Sequence, residues 1–174
     1  VKAALYCSMA VLAASLLTAC GGGDEGLFVE DKTPTPSGSP ASATIAGATA
    51  ADAALNGSYA TDNLNTNNVT HVEPISGSDN TCRFKFNSLP QVGNPNRMMD
   101  GDIRYVPDST ALSTTFISVD AIEFSLQGSA GATVDKANNQ VVYTGAVFTS
   151  TQGTGRTITL TATIPMRGNR PGGC

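Results

Sequence analysis

Residues 157–164 read Thr-Ile-Thr-Leu-Thr-Ala-Thr-Ile. Ile158, Leu160, Ala162 and Ile164 share one parity and the four threonines the other. A helix would scatter these side chains around its axis. Only an extended strand gathers the apolar set on one side, so the segment predicts a half-buried antiparallel strand with a threonine face toward water. Before it stand the turn signal Gly153-Thr154-Gly155 and a run at 141–149 rich in Val, Tyr, Phe and Thr. Together the two runs predict a long hairpin. Gly153-x-Gly155 reads as its turn and not as a phosphate loop, because no helix pattern follows.

The same reading places strands at 69–75, 82–86, 102–106 and 115–126. In the last, Ile117 and Val119 hold one parity while Ile122, Phe124 and Leu126 hold the other. One extra residue near Asp120 would keep both sets inward, which predicts a β-bulge there. Turn chemistry separates the segments at Asp100-Gly101, Pro107-Asp108, 128–131 and Asn138-Asn139. No sustained amphipathic helix follows Leu55. The expected fold is all-β, an antiparallel sandwich or a small barrel of about six to nine strands. Only 14% of the 174 residues are charged, well under the usual quarter of a soluble domain. Thr, Ser, Asn, Gly and Ala take their place, as is common in β-rich extracytoplasmic proteins.

The start of the chain differs. Lys2 is followed by an apolar run from Ala3 to Ala19, broken only by Ser8, Ser15 and Thr18. That is the pattern of a secretory signal, slightly short for a comfortable membrane span of roughly 20 apolar residues. Its last residues, Leu17-Thr18-Ala19-Cys20, resemble the lipobox of prokaryotic lipoproteins. The resemblance implies diacylglycerol on Cys20, cleavage before it, and a membrane anchor that leaves 1–19 behind, Cys7 included. More than one acyl chain gives stable anchoring where a single chain binds only marginally. Gly21-Gly22-Gly23 follow Cys20 with no Asp, which in enteric-type bacteria implies the outer membrane. The folded part also resembles small bacterial lipoproteins, a likeness that brings an envelope address but no activity.

Residues 20–55 read as the lipidated Cys and a disordered tether. The Pro-rich stretch at 33–40 cannot bury a core. The stretch 41–55 is Ala- and Thr-rich without an apolar stripe, at most a transient helix. The β domain is expected over 56–174. If Cys20 carries lipid, Cys82 and Cys174 remain, and an oxidising compartment favours a bridge between them. A Gly-rich end such as Pro171-Gly172-Gly173-Cys174 would fray unless tied. An intermolecular bond or free thiols are the alternatives.

Charge excludes one class of partner. The chain carries a net −4, but the excess of acids over bases lies in residues 21–55 and the rest is nearly neutral. No dense Lys/Arg stripe exists, so nucleic acid is not an expected partner. Catalytic chemistry is also thinly supplied. His71 and Glu73, two apart on a strand, face one side, but two ligands are too few for zinc. Asp100, Asp102 and Asp108 are weak candidates for calcium. Arg104 stands where an EF-hand loop needs its third ligand, and no closing Glu follows. A charged turn explains these acids as well. Asp120 with Glu123, or Asp100 with Asp102, could in principle be paired carboxylates. No Gly-x-Ser-x-Gly occurs. Arg97, Met98 and Met99 follow the presumed loop 90–96 and could form a partner surface, although Met is equally a routine core filler. Asn68-Val69-Thr70 matches the glycosylation sequon, which carries little weight in a bacterial chain.

The expectation is therefore a non-enzymatic, lipid-anchored module of the bacterial envelope, without a cofactor, that binds or supports an envelope protein or a glycan. The rivals are a carboxylate-based hydrolase or isomerase and a barrel that holds a small apolar ligand.

Overall fold

The computed structural model describes residues 33–75, 80–153 and 155–174. The signal run, Cys20 and the first part of the expected tether lie outside them. The elements are β1 (Thr35–Pro36), β2 (Ala41–Ala46), a 3₁₀ helix (Ala50–Leu55), β3 (Gly57–Thr61), β4 (Asn65–Thr66), β5 (Thr70–Val72), β6 (Thr81–Gln91), β7 (Asn94–Tyr105), β8 (Leu112–Val119), β9 (Ile122–Gln127), β10 (Ala132–Asp135), β11 (Gln140–Ser150) and β12 (Thr157–Pro165). All pairings are antiparallel. Around the ring the order is β2-β3-β6-β7-β8-β9-β11-β12 and back to β2. This is a closed eight-stranded up-and-down barrel with short strands added outside it, so of the two expected architectures the chain adopts the barrel. The described strands number twelve rather than six to nine, because β1, β4, β5 and β10 are short pieces laid along the ring.

The expected hairpin is present: Val141 pairs with Ile164 and Thr149 with Thr157. The register shifts between Tyr143 and Ala146, where Gly145 takes φ +62°. Ile158, Leu160, Ala162 and Ile164 are buried as their parity requires. A barrel of eight strands has an interior just wide enough for side chains to fill. Here Tyr59, Tyr105, Tyr143, Phe84, Phe86, Phe124 and Phe148 fill it, each at most 1% exposed. The Tyr143 hydroxyl meets Thr115 Oγ1 at 2.9 Å, so the polar tip at the centre is satisfied. The outer face carries threonines and charged residues. That distribution is the reverse of a membrane-spanning barrel, whose outside is apolar.

Four expectations are corrected. First, the tether does not extend to residue 55. Ala41, Ala43 and Ile45 face inward while Ser42, Thr44 and Ala46 face outward, and β2 sits between β3 and β12. The alternation was masked because alanine serves both faces. Second, no bulge lies at Asp120. Val119 pairs with Ile122 and Ile117 with Phe124, and Asp120 and Ala121 both have positive φ, 51° and 62°. This is a two-residue hairpin turn whose twist suits the strands it joins. Reversal of the chain changes the parity, since residues three apart become partners. Third, Asp100-Gly101 is not a turn but the middle of β7. Gly101 pairs with Phe86 and Ile117. Fourth, 90–96 is not a long loop but the tip of the β6–β7 hairpin. Beside it Met99 is buried and Met98 is 39% exposed.

Candidate functional site: a closed barrel end and its groove

The pairing places the starts of β2, β6, β8 and β11 and the ends of β7, β9 and β12 at one mouth of the barrel. Residues 166–174 close that mouth. Met166 follows β12 into the core at 4% exposure. The Arg167 guanidinium donates to the carbonyls of Thr66, Thr35 and Pro36, each at 3.1 Å. Arg170 donates to the Lys136 carbonyl and to Asn139 Oδ1 at 2.7 and 2.6 Å. Cys174 ends the strap and is bonded to Cys82, with Cα atoms 5.6 Å apart and a sequence separation of 92. The expected bridge is therefore formed. Around it Tyr105 Oη donates to the Cys174 carbonyl at 2.9 Å. The Asp108 amide and Lys136 Nζ both donate to the Gly173 carbonyl, at 2.8 and 2.5 Å. Lys136 Nζ also lies 5.8 Å from the centre of the Tyr105 ring, within cation–π range. Burial pushes the Tyr105 phenol up to about 12, with the Arg170 charge opposing.

His71 stands beside this bridge. β5 pairs with β6 so that His71 is opposite Cys82. Its Nε2 is 3.1 Å from the Gly172 carbonyl, which fixes that nitrogen as the N–H donor. Cys174 Sγ lies 3.7 Å from Nδ1 and 3.9 Å from Nε2 of the same ring. His71, Cys82 and Cys174 each offer a ligand atom, and these atoms all lie within 4.8 Å of one another. His71 thus meets this cluster, a neighbourhood beyond the geometrically possible pairing with Glu73. The Glu73 carbonyl accepts from Arg104 Nη1 at 3.1 Å.

Next to the strap runs an open groove of about 610 Å³. Its wall includes Ser37, Asn68, Asn138, Gln140, Arg167 and Asn169. The Asp135 carboxylate organises one side. Asn138 Nδ2 and Gln140 Nε2 both donate to its Oδ2, at 2.6 and 3.2 Å. These bonds, with the Asn138 amide N–H first among the backbone donors, hold the Asp135 carboxyl below the usual range. Each NH₂ group uses one N–H in this way, which leaves Asn138 and Gln140 a carbonyl oxygen as acceptor and a second N–H as donor. Among the described residues no hydrogen-bond partner holds the Asn68 or Asn169 side chain.

The other mouth is closed by the 3₁₀ helix. Its Asp52 is 3% exposed and forms a bidentate pair with Arg156, with Nε donating to Oδ2 at 2.7 Å. Thr49 Oγ1 donates to the same oxygen at 3.1 Å. The Arg156 hydrogen bond holds the Asp52 carboxyl below its ordinary value against the opposing cost of burial. Tyr59 Oη donates to the Leu55 carbonyl at 2.8 Å, and burial pushes that phenol up to about 12. Arg97 turns back onto this end. It donates to Asp120 at 2.6 Å, to Gln91 Oε1 at 3.2 Å, and to the Ala54 carbonyl.

The weak calcium candidates are not brought to one point. Asp102 takes a fork of Arg83 bonds at 2.5–3.0 Å, with Arg104 Nε at 3.7 Å. Asp100 accepts from the Ser88 amide at 2.8 Å. Asp108 sits at the strap, with φ +54°. The other carboxylate pair also divides, since Asp120 serves Arg97 while Glu123 accepts from Thr151 Oγ1 at 2.9 Å. The groove escaped the sequence reading because its wall comes from segments far apart in the chain. The one local signal was the density of Asn and Ser in the turns. Comparisons with protein-family models, with curated proteins and with solved structures find no match for this chain.

Proposed function

We propose that the chain is a lipid-anchored protein of the bacterial envelope, held by an acylated Cys20 at the outer membrane, whose barrel is a rigid, non-enzymatic module that binds a neutral glycan. The observation that carries the reading is the amide-lined groove beside a barrel that is filled inside and closed at both ends. A filled interior supports recognition on the outer surface over storage of an apolar ligand. Carboxylates committed to arginines, hydroxyls and backbone amides weigh against a hydrolase or isomerase built on them. Sugar hydroxyls both donate and accept. The groove matches them, with the side-chain amides of Asn68, Asn138, Gln140 and Asn169 in its wall to donate and accept. The Arg167 charge is drawn into three backbone carbonyls, which favours an uncharged ligand over an anionic one.

The test is titration calorimetry of the chain from residue 21 onward against neutral cell-wall and surface oligosaccharides. One amide contact is worth about 1 kcal/mol, so Asn68→Ala with Asn169→Ala should weaken binding by about tenfold or more. Saccharides that fail to bind, or binding that ignores both substitutions, would remove the glycan reading. The anchor is tested separately by the intact mass of membrane-extracted protein. A mass that begins at Cys20 and includes acyl chains supports it, and a mass that retains residues 1–19 refutes it.

A further inference from the structure

We propose that His71, Cys82 and Cys174 form a zinc site that is exposed when the Cys82–Cys174 bridge is reduced, so that the end of the strap is held by a covalent bond in one redox state and by a metal in the other. The three ligand atoms already lie within 4.8 Å of one another. Zinc takes sulfur at about 2.3 Å and imidazole nitrogen at about 2.0 Å, so ligands around one ion stand roughly 3.5–4 Å apart. Nδ1 of His71 is already 3.7 Å from Cys174 Sγ. The two sulfurs must part and the His71 ring must turn toward them, by side-chain rotations.

The tautomer also fits. The Gly172 carbonyl holds the Nε2 proton, the outer-shell arrangement usual for metal-binding histidines, and leaves Nδ1 the nearer ring nitrogen to Cys174 Sγ, at 3.7 Å against 3.9 Å for Nε2, so that a turn of the ring would aim its lone pair at the ion. The backbone is pinned independently of the bridge by the Tyr105, Asp108 and Lys136 bonds to Gly173 and Cys174. The three ligands would therefore stay together once the S–S bond opens. Water would complete a tetrahedral set.

The redox step requires a dithiol reductant. One of its thiolates attacks Cys174 Sγ, forms a mixed disulfide and releases Cys82 as thiolate. Its second thiol then displaces Cys174 and leaves as the reductant's own disulfide. Two electrons pass to the cysteines. Zinc then takes both thiolates, and any proton they have picked up is released to solvent.

The experiment reduces the chain from residue 21 onward with its native barrel, removes the reductant under argon and adds Co²⁺ as a spectroscopic stand-in for zinc. The expected result is a thiolate-to-cobalt charge-transfer band that saturates at one ion per chain and is displaced by Zn²⁺. The oxidised chain should give none. His71→Ala keeps both cysteines and the bridge, so it folds as the parent does. Its reduced form should bind at least roughly tenfold more weakly, since even outer-shell changes at metal sites cost 10–100-fold. If reduction loosens the barrel, Zn²⁺ should restore its circular dichroism. No band, a band indifferent to His71→Ala, one ion shared by two chains, or a loosened barrel that zinc does not restore would each overturn the proposal.

Discussion

Gly101→Ala separates two readings of one glycine. In a turn or an exposed strand the substitution stabilises by about 0.4–1 kcal/mol, because alanine restricts the unfolded chain. In this barrel a Cβ at Gly101 would meet the Phe86 ring within 2.7 Å of Cζ and closer still to Cε1. The ring cannot swing aside, since Phe86 is 1% exposed and packed in the filled interior. Overpacking of that kind costs about 1–3 kcal/mol. The clash therefore exceeds the entropic gain, and the net expectation is a loss of about 1–2 kcal/mol. For a domain of this size that lowers Tm by roughly 3–8 °C. The assay is thermal and urea unfolding of four chains: the parent, Gly101→Ala, Phe86→Leu and the double variant. With the ring gone the alanine should be neutral or stabilising, a coupling of about 1 kcal/mol or more. Stabilisation by Gly101→Ala in the parent would refute the argument, because it would mean that the ring does not cover Gly101.

Joint replacement of Cys82 and Cys174 by serine opens a covalent loop whose ends are 92 positions apart. In the chain-entropy treatment this lowers stability by up to about 4–5 kcal/mol, measured by urea unfolding in the presence of chelator. Asp52 has a folded pKa below its unfolded value of about 3.9. It therefore stabilises the fold above that pH, and the contribution is lost as pH falls toward the folded value. Asp52→Asn should flatten the acid limb of a urea-midpoint-against-pH curve, and an unchanged limb would exclude Asp52 as its source. At the alkaline end the signs reverse. Tyr59 and Tyr105 are raised from 10 to about 12, and burial raises Tyr143 as well. Stability should then be intact below about pH 10 and fall between 10 and 12, as the unfolded chain loses its phenolic protons first. Phenolate absorbance should rise together with unfolding, and titration of all three phenols near pH 10 in a folded barrel would contradict their burial.

The strands that declared themselves were those with bulky inward residues. In β12 the Ile, Leu, Ala and Ile of one parity left no helical alternative. β2 follows the same rule with Ala41, Ala43 and Ile45, yet alanine is at home on either face and in either element. A genuine strand therefore read as tether. The 115–126 segment shows a different limit. Its parity change was visible, but a bulge and a two-residue hairpin turn produce the same change. The pairing of Val119 with Ile122 and the positive φ at Asp120 and Ala121 separate them. Neither residue is a glycine that would have announced it.

The candidate sites fared according to the range of their contacts. The bridge was legible because, with Cys7 and Cys20 assigned to the expected signal and anchor, two cysteines have one intramolecular pairing. His71 was read against Glu73 because two residues apart is the only side-by-side relation a lone strand reveals. Its actual neighbours come from the β5–β6 register, which sets it opposite Cys82, and from a strap that returns 103 positions later with Cys174. In an up-and-down barrel each strand's sequence neighbours lie along it while its chemical neighbours lie across it. A ligand set at a barrel mouth is therefore assembled from residues that no local pattern joins. The His71→Ala titration is informative for that reason. It changes one residue whose only link to the bridge is the fold, and loss of metal binding would show that the barrel, rather than any sequence motif, builds the site.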